Sequence, residues 1–481
     1  MKETNGQSKI KQVCADVLAK ISPTEVDRKN VTSLAKELKQ KVAASAKKKG
    51  IEAVIRVEGS VAKDTWLKEE PDIDVFMCLP PSITRKDLGT ISLDIAREAT
   101  EGARQVERFA EHPYLEAFVN DFRVNIVPCY CAERGEWLSA TDRTPFHTDY
   151  VNKHLSPIFR GEVRLLKKFL QGIKVYGAEI KVGGLSGYLC ELLIIHYGSF
   201  TETLEAFSKY MPQLVIDIEH YYEDREKDLR LLFNDPILII DPVDKARNVA
   251  SAVKQQKIYA LVAASRAFLE APSTKFFFPS KPKALAPGKL KQKLERRGSD
   301  CIFLTFKAVN AVPDVLWGQL YRTQRALCKL LELHDFHVFR DMAWSDEKAL
   351  ALFVFEVEQR ILAGVKKHLG PPLERRNESD NFLHKYADNN RVVSGPFIED
   401  GRWTVEIQRK HTDAVGLLCE KLENGGRNVG VAELISQTIK GGFAIKVNSE
   451  ILETYITNSA FAKALSDFLS GKPSWLKPEE A

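Results

Sequence analysis

The stretch VEGSVAKDTWLKEEPDIDVF, residues 57–76, contains two aspartates, Asp72 and Asp74, separated by one residue. On a β-strand, residues i and i+2 point to the same face, so these carboxylates would lie roughly 6–7 Å apart at their backbones. Paired carboxylates bind Mg²⁺ through oxygen, and substrate phosphates complete its octahedral shell. Two such ions stabilise the attacking and leaving oxygens of a phosphoryl displacement. The two aspartates therefore predict a magnesium-dependent phosphoryl-transfer site.

A Gly-Ser pair, Gly59 and Ser60, precedes these aspartates and is predicted to form a turn. Glycine lets the backbone approach a ligand closely, and backbone N–H groups with the Ser60 hydroxyl can bind a triphosphate. Lys63 adds a positive charge three residues later. Asp-x-Asp alone is more often a solvated strand edge. Between strand-like segments and after Gly-Ser, it favours nucleotide binding.

Three strand-like segments surround these residues. AVIRVE (53–58), DIDVFMCL (72–79) and FRVNIVPCY (122–130) are rich in β-branched and aromatic residues. Residues 30–49 space their apolar side chains as one helical stripe, and Gly50 follows where a helix would end. The first part of the chain therefore combines a sheet with at least one helix.

The rest of the chain is predicted to be first helical and then α+β. From about residue 156 the apolar spacing is helical. Residues 272–292, PSTKFFFPSKPKALAPGKLKQ, interleave prolines with lysines and predict a linker or an irregular crossing at a domain boundary. Beyond it, strand-like segments accompany a helix over 314–334, and Asp400-Gly401 predicts a two-residue hairpin turn. The predicted fold class is α+β.

Composition limits the kinds of protein that this chain could be. Its 481 residues favour two to four domains, and its apolar runs are too short to cross a bilayer. The N-terminus lacks a signal-peptide segment, and the eight cysteines lack disulfide or metal spacing, so we expect a reducing cytoplasm. The pair Cys129-x-Cys131 could bind a metal, but without a second pair a structural role is the commoner explanation.

Positive charge is concentrated in one region. The net charge is only +5, yet residues 275–330 contain twelve Lys and Arg against three acids. Such an imbalance is suited to neutralising phosphates, although a solvated basic loop would have the same composition. On the helix predicted over 314–334, the basic residues Arg322, Arg325 and Lys329 lie opposite a leucine stripe. We predict that these three bind tRNA, although a solvated face is the usual explanation of such a stripe.

Gly-Ser followed by Asp-x-Asp at this distance resembles the signature of the DNA polymerase beta nucleotidyltransferase superfamily. Further blocks look, in order, like those of archaeal, class I, CCA-adding tRNA nucleotidyltransferases: VEGSVAKDTWL, AEHPYLEAFV, DRTPFHTDYV, the block 163–200, DPVDKARNVA, DVLWGQL and GPFIEDGRWTVE. The resemblance implies a catalytic head with a mixed sheet over 1–155, a helical neck for nucleotide recognition over 156–275, and a tRNA-binding body and tail over 276–481. It also implies template-independent addition of C, C and A to the 3′ end of tRNA, from CTP and ATP.

The resemblance assigns nucleotide contacts to residues that are ambiguous on their own: Gly59, Ser60, Lys63, His147, Lys167, Tyr176 and Arg247. His147 could be a packed histidine, Lys167 a surface lysine with Lys168 as its competitor, and Tyr176 plain core. Arg247 matches the arginine that helps to read the incoming base. Its planar fork of donors suits the edges of C and A better than those of G and U, although a capping arginine would look the same locally.

The chain departs from the family pattern at one metal position. The resemblance places a third carboxylate beside Asp72 and Asp74, where this chain has Asn125. Asp121 lies four residues earlier, some 13 Å along an extended strand, and cannot replace it. The Asn125 carbonyl can ligate a metal, but it adds no charge and is no base. We therefore expect Mg²⁺-nucleotide and tRNA to bind, and nucleotides to be added slowly.

Two alternative functions stay open at this point. A poly(A) polymerase or oligoadenylate synthase would share the head but lack the blocks after Pro242. A tRNA-binding relative that has lost its chemistry would keep every block and lack activity. The sequence also leaves both a monomer and a homodimer open.

Overall fold

The computed structural model describes residues 2–109, 111–212, 214–223, 225–281 and 283–476, with every side chain in them except those of residues 2–5, 226 and 230. The chain divides into two compact units. The first comprises residues 1–281 and 472–481, and the second comprises residues 282–471.

The described part of the first unit contains ten α-helices and seven β-strands. In chain order these are α1 (Lys2–Ile21), α2 (Glu25–Lys48), β1 (Val54–Glu58), α3 (Gly59–Ala62), β2 (Asp72–Leu79), α4 (Arg85–Ala99), β3 (Arg104–Phe109), β4 (Pro113–Val119), β5 (Phe122–Tyr130), α5 (Thr144–His154), α6 (Arg160–Gly172), α7 (Gly187–Tyr197), α8 (Phe200–Ser208), β6 (Leu214–Ile216), α9 (Glu226–Leu232), β7 (Ile237–Ile239) and α10 (Gln255–Glu270). The three predicted strands are confirmed as β1, β2 and β5. The predicted helix is α2, which begins five residues earlier than expected because Thr24 caps it.

Strands β1 to β5 form one mixed sheet in the order β1-β2-β5-β4-β3. β2 and β5 run parallel, and the other neighbouring pairs are antiparallel. One face presents alternate residues such as Ile73, Val75 and Ile126 to a buried core that it shares with α2 and α4. Because side chains alternate along a strand, Asp74 and Asn125 lie on the opposite face.

The helical part of the first unit is built around aromatic rings. α6, α8 and α10 contribute Phe169, Phe200 and Phe268, whose ring centroids lie 5.5–5.6 Å from one another. Phe276 and Phe277 complete the cluster, and both are almost fully buried. Residues 272–292, predicted to be a linker or an irregular crossing, therefore contribute to this core at their start, because exposing consecutive phenylalanines to solvent would be costly. The two units divide within the same segment, between residues 281 and 282.

The second unit contains seven helices and seven strands among its described residues. They are α11 (Pro287–Glu295), β8 (Asp300–Lys307), α12 (Pro313–Leu333), β9 (Val338–Ser345), β10 (Leu350–Val357), β11 (Val365–Pro372), α13 (Arg376–Tyr386), β12 (Val392–Glu399), β13 (Arg402–Gln408), α14 (Ala414–Leu422), α15 (Glu433–Lys440), β14 (Phe443–Val447), α16 (Leu452–Thr457) and α17 (Ser459–Ser470). The strands form two sheets, β14-β8-β10-β9 and β11-β13-β12. The predicted hairpin turn is confirmed, since Asp400 and Gly401 both have positive φ between β12 and β13. The α+β fold class is confirmed.

Helix α12 buries its leucine stripe, and this confirms the apolar face that the sequence predicts. Leu316, Leu320, Leu327 and Leu331 join the core of the second unit. Across the part of the chain that the structure describes, no helix combines the length and the apolar character that a bilayer crossing requires.

Candidate active site

Gly59 begins helix α3, so the predicted free turn at Gly59-Ser60 is wrong. The glycine has φ +70°, and a Cβ on it would lie 2.1 Å from Oδ2 of Asp74. Only glycine therefore fits here without displacing Asp74. The close approach places the start of α3 against the Asp74 carboxylate of β2.

The parallel pairing of β2 with β5 brings the three predicted metal residues together. Asp74 pairs in register with Asn125, and Asp72 pairs with Arg123. Asn125 Nδ2 donates to Asp74 Oδ1 at 2.9 Å. Arg123 Nε donates to Asp72 Oδ1 at 2.8 Å, and its Nη2 donates to the other carboxylate oxygen. Arg123, which the sequence analysis did not single out, supplies Asp72 with a positive charge.

Asp74 is a carboxylate with too little compensating charge around it. Burial raises its pKa to about 6, and the negative charge of Asp72 adds to this rise, against the lowering effects of Asn125 and Lys63. In the described part of the chain, no group of three or more His, Cys, Asp or Glu could hold a metal ion by itself. The site thus has two carboxylates and one amide.

A further carboxylate, Glu116, lies on the same face of the sheet. It pairs in register with Asn125 across β4 and β5, is 6% exposed, and accepts a hydrogen bond from Arg108 Nη2 at 2.9 Å. The sequence analysis missed Glu116. The sequence did contain an indication of it: in the strand PYLEAFV, Glu116 alternates with Tyr114 and Phe118 and so shares their face.

Lys63 and Lys167 converge on one buried acid, Glu191 of α7. Lys63 Nζ lies 2.5 Å from Oε2 of Glu191, Lys167 Nζ lies 3.4 Å from Oε1, and the Thr65 hydroxyl donates to Oε1 at 2.5 Å. Burial alone would raise the pKa of Glu191, but the two lysines hold it below its ordinary value. The side chain of Lys167 is 3% exposed, so the interpretation of Lys167 as a surface lysine is wrong.

A second buried acid, Asp241, accepts hydrogen bonds from three site residues. The donors are Arg247 Nη1 at 2.6 Å, His147 Nε2 at 2.9 Å and the Tyr188 hydroxyl at 3.1 Å. Although burial opposes it, His147 and Arg247 hold the pKa of Asp241 at about 2. Burial lowers the pKa of His147, whereas its contact with Asp241 acts in the opposite direction.

Tyr176 belongs to the segment between α6 and α7, and its hydroxyl reaches the start of α7, as does the side chain of Lys167. A Cβ on Gly187 would be 3.1 Å from the Tyr176 hydroxyl and 3.5 Å from Lys167 Nζ, so both groups approach this point closely. Burial raises the pKa of Tyr176 well above its ordinary value. Lys168, the competing assignment, binds Glu69 at 2.8 Å.

Glu191 and Asp241 could have been found in the sequence. Each is a lone acid in an apolar run, LCELLII and ILIID. A carboxylate in such a run is expected to be buried, and a buried carboxylate requires partners. Of the cysteine pair, Cys129 is buried beside Cys78, and Cys131 is exposed.

The predicted tRNA-binding residues belong to the second unit. Arg322, Arg325 and Lys329 are all exposed on α12, on the side opposite its buried leucines.

A mixed sheet with paired aspartates beside a glycine-started helix defines the class of nucleotidyltransferases. The protein-family model described as "Nucleotidyltransferase domain" matches residues 31–148, "tRNA nucleotidyltransferase, second domain" matches 161–278, and "CCA-adding enzyme, C-terminal domain" matches 297–448.

Curated relatives extend this match over most of the chain. A CCA-adding enzyme of Methanosarcina mazei is 38% identical over 438 residues, 90% of this chain and 93% of the relative. That of Haloarcula marismortui is 32% identical over 477 residues, 96% and 98% of the two chains. A solved structure of Cid1 poly(U) polymerase covers 56% of this chain and 98% of its own at 14% identity, with a TM-score of 0.44. This chain belongs to the CCA-adding enzyme family.

Proposed function

We propose that this protein adds C, C and A, without a template, to the 3′ end of tRNA from CTP and ATP, with release of pyrophosphate. The observation that carries the proposal is the placement of Asp72 and Asp74 on one sheet face beside Gly59. Its relatives are named CCA-adding enzymes, which supports tRNA as the acceptor and CTP and ATP as the donors.

We further propose Mg²⁺ as the cofactor, because the residues present fit a divalent cation. The raised pKa of Asp74 reflects a buried charge that a cation would compensate. Asp72, Asp74 and the amide oxygen of Asn125 would hold the ion, with triphosphate oxygens as further ligands. When bound, such an ion neutralises phosphate charge and activates the primer hydroxyl.

Ser60, Lys63, Lys167 and Tyr176 are the groups that we assign to the triphosphate. Glu191 holds the two lysines in fixed positions before substrate arrives, so little side-chain entropy remains to be lost when phosphate binds. Arg247 and His147 are assigned to the nucleotide, with Arg247 presenting its donors to the base. Asp241 fixes the orientation of both.

The reaction moves one phosphoryl group and one proton. The 3′-oxygen of the primer forms a bond to the α-phosphorus, the bond from that phosphorus to the β-phosphate oxygen breaks, and pyrophosphate leaves. The hydroxyl proton has to pass to a base. Asn125 is not one, because a side-chain amide takes up no proton near neutral pH, so the proton passes to water. The Nδ2 of Asn125 instead donates to Asp74. This hydrogen bond favours a second candidate function, a slow or inactive relative that binds tRNA and Mg²⁺-nucleotide.

A direct assay separates these possibilities. The full chain is incubated with tRNA ending before CCA, Mg²⁺ and one labelled nucleotide at a time. Incorporation of C before A supports CCA addition, A alone indicates a poly(A) polymerase or oligoadenylate synthase, and binding without incorporation indicates the inactive relative. Asp74→Ala should abolish incorporation, whereas Asp94→Ala on the exposed face of α4 should not.

Other features stay proposals of the same kind. These are the head, neck and tail boundaries at residues 155 and 275, a cytoplasmic location, and binding of the body and tail to the acceptor stem through Arg322, Arg325 and Lys329. The exposure of these three side chains supports the last of them.

A further inference from the structure

A basic pocket lies in the second unit, beyond the end of α12 that carries the predicted tRNA-binding residues. Its cavity volume is about 230 Å³. It forms where the end of α12 meets the first residues of β11 and the last residues of β13. Four cationic side chains line it: Lys366, Arg391, Arg409 and Lys410.

The positive charge of this pocket is only partly neutralised. Asp335 is the one acid among the described residues that line the pocket, and it pairs with Lys366 at 2.8 Å and also with Arg409. One carboxylate thus faces four cations. Burial lowers the pKa of His334 in the same wall, and the neighbouring Lys410 contributes to this lowering. The pocket therefore has an excess of positive charge that an anion would compensate.

Two buried nitrogen atoms in the pocket wall lack a hydrogen-bond partner among the described residues. Nε of Arg409 is buried without a hydrogen-bond partner among the described residues, and so is Nε2 of His411. The other ring nitrogen of His411 lies 3.6 Å from Glu420, and its side chain is 9% exposed. The Arg409 Nε–H is always a donor, and an unpaired buried donor costs about 1–3 kcal/mol, so a ligand that offers oxygen acceptors would be favoured here.

The exposed basic stripe of α12 leads to this pocket. Lys329 lies one helical turn before Leu333, and Leu333 lines the pocket. At 1.5 Å per residue these two positions are about 6 Å apart along the helix axis. Arg322 and Arg325 continue the stripe in the other direction.

We propose that this pocket binds a phosphate of an RNA backbone, at the end of a track that begins with Arg322 and Arg325. The identity of the RNA as tRNA rests on the proposed function. Planar guanidinium groups such as those of Arg391 and Arg409 suit the oxygens of a phosphodiester, and bonds to phosphate position a nucleic acid without reading its sequence.

The test compares two double variants in binding to tRNA that lacks CCA, with no nucleotide present. Arg391→Ala/Lys410→Ala removes two exposed cations of the pocket, and Lys348→Ala/Lys463→Ala removes two exposed lysines elsewhere in the same unit. The pocket variant should bind about tenfold more weakly at 0.15 M salt, and its salt slope should fall by about one for each phosphate that it no longer neutralises. The control should bind like the wild type, and all three proteins should melt at the same temperature.

Phosphate-ethylation interference adds a readout that a general loss of charge would not change. Ethylating a particular backbone phosphate should weaken binding to the wild type and have no effect on the pocket variant. Equal affinities of the two double variants, or an unchanged interference pattern, would overturn the proposal. If inorganic phosphate raises the melting temperature of the wild type and not of the pocket variant, while tRNA binding stays equal, the ligand is free phosphate. Loss of nucleotide addition with tRNA binding intact would contradict only the proposed function.

Discussion

Asn125 gives Asp74 a hydrogen-bond donor at the position where the family resemblance places another carboxylate. Asn125→Asp should raise the single-turnover rate of C incorporation at least about tenfold, about 1.4 kcal/mol of barrier, because aspartate accepts a proton and the amide does not. Asn120→Asp is a matched control, since Asn120 lies in the turn between β4 and β5. If the Asn125→Asp rate stays close to that of the control, Asn125 does not limit the reaction.

The partly buried charge of Asp74 should make stability depend on pH. The pKa of Asp74 rises from 3.8 to about 6 on folding, so the folded state holds the proton more tightly. This group therefore stabilises the fold at low pH, and its contribution is lost as pH rises through 6; the ionised form costs up to about 3 kcal/mol. Asp74→Asn should melt at a higher temperature than the wild type at pH 8 in EDTA, and the difference should shrink toward pH 5. Equal melting temperatures at pH 8 would contradict this.

Asp241 should control the choice of base through Arg247. Asp241→Asn removes the charge that accepts from Arg247 at 2.6 Å, and hydrogen bonds to charged groups contribute about 1.5–3 kcal/mol. Incorporation of U relative to C should therefore rise about tenfold in a competition assay with both nucleotides. Asp244 lies in the same loop as Asp241 but binds Arg143 instead. Asp244→Asn should therefore leave the ratio of U to C incorporation unchanged. A shift of equal size in both variants would mean that the loop, and not Asp241, determines the choice.

At the scale of elements, strands β1, β2 and β5 were predictable and their neighbours were not. Alternation and β-branched residues give each strand its local pattern. The parallel pairing that places Asp74 beside Asn125 joins two strands that α4, β3 and β4 separate in sequence. No local pattern encodes this pairing. The same holds for Glu191, whose partners Lys63 and Lys167 lie 128 and 24 residues away. The sequence can indicate that such an acid needs a positively charged partner, but it cannot identify that partner.

The last described residues contribute to the helical core of the first unit. Trp475 is 7% exposed and stacks on Phe276 at 5.5 Å, and the Ser474 hydroxyl donates to the Gly172 carbonyl at 2.8 Å. Trp475→Ala should destabilise the chain by about 3 kcal/mol in a denaturant titration, because it leaves a cavity against Phe276. Trp475→Phe, which keeps a ring, should cost clearly less. Equal losses of stability in the two variants would show that ring stacking on Phe276 does not anchor this C-terminal segment.

At the scale of the whole molecule, tRNA affinity should depend strongly on salt. Arg322 is exposed on α12, so Arg322→Ala should weaken binding to all tRNAs alike and reduce the salt slope by about one. Arg376→Ala, at the exposed start of α13, is the control and should leave the slope unchanged. Filter binding across a salt series gives both slopes. A salt-insensitive affinity of the wild type would remove phosphate binding as the basis of the interaction.

The first unit takes its core from both ends of the described chain, because residues 472–476 return to it after the second unit is complete. A gene divided after codon 281 would encode two fragments, neither of which corresponds to one unit alone. The C-terminal fragment would carry Trp475, the ring that the other lacks against Phe276. The two fragments should therefore reassemble when they are co-expressed, and the first should be poorly soluble alone. In this fold, complementation between fragments follows from the path of the chain.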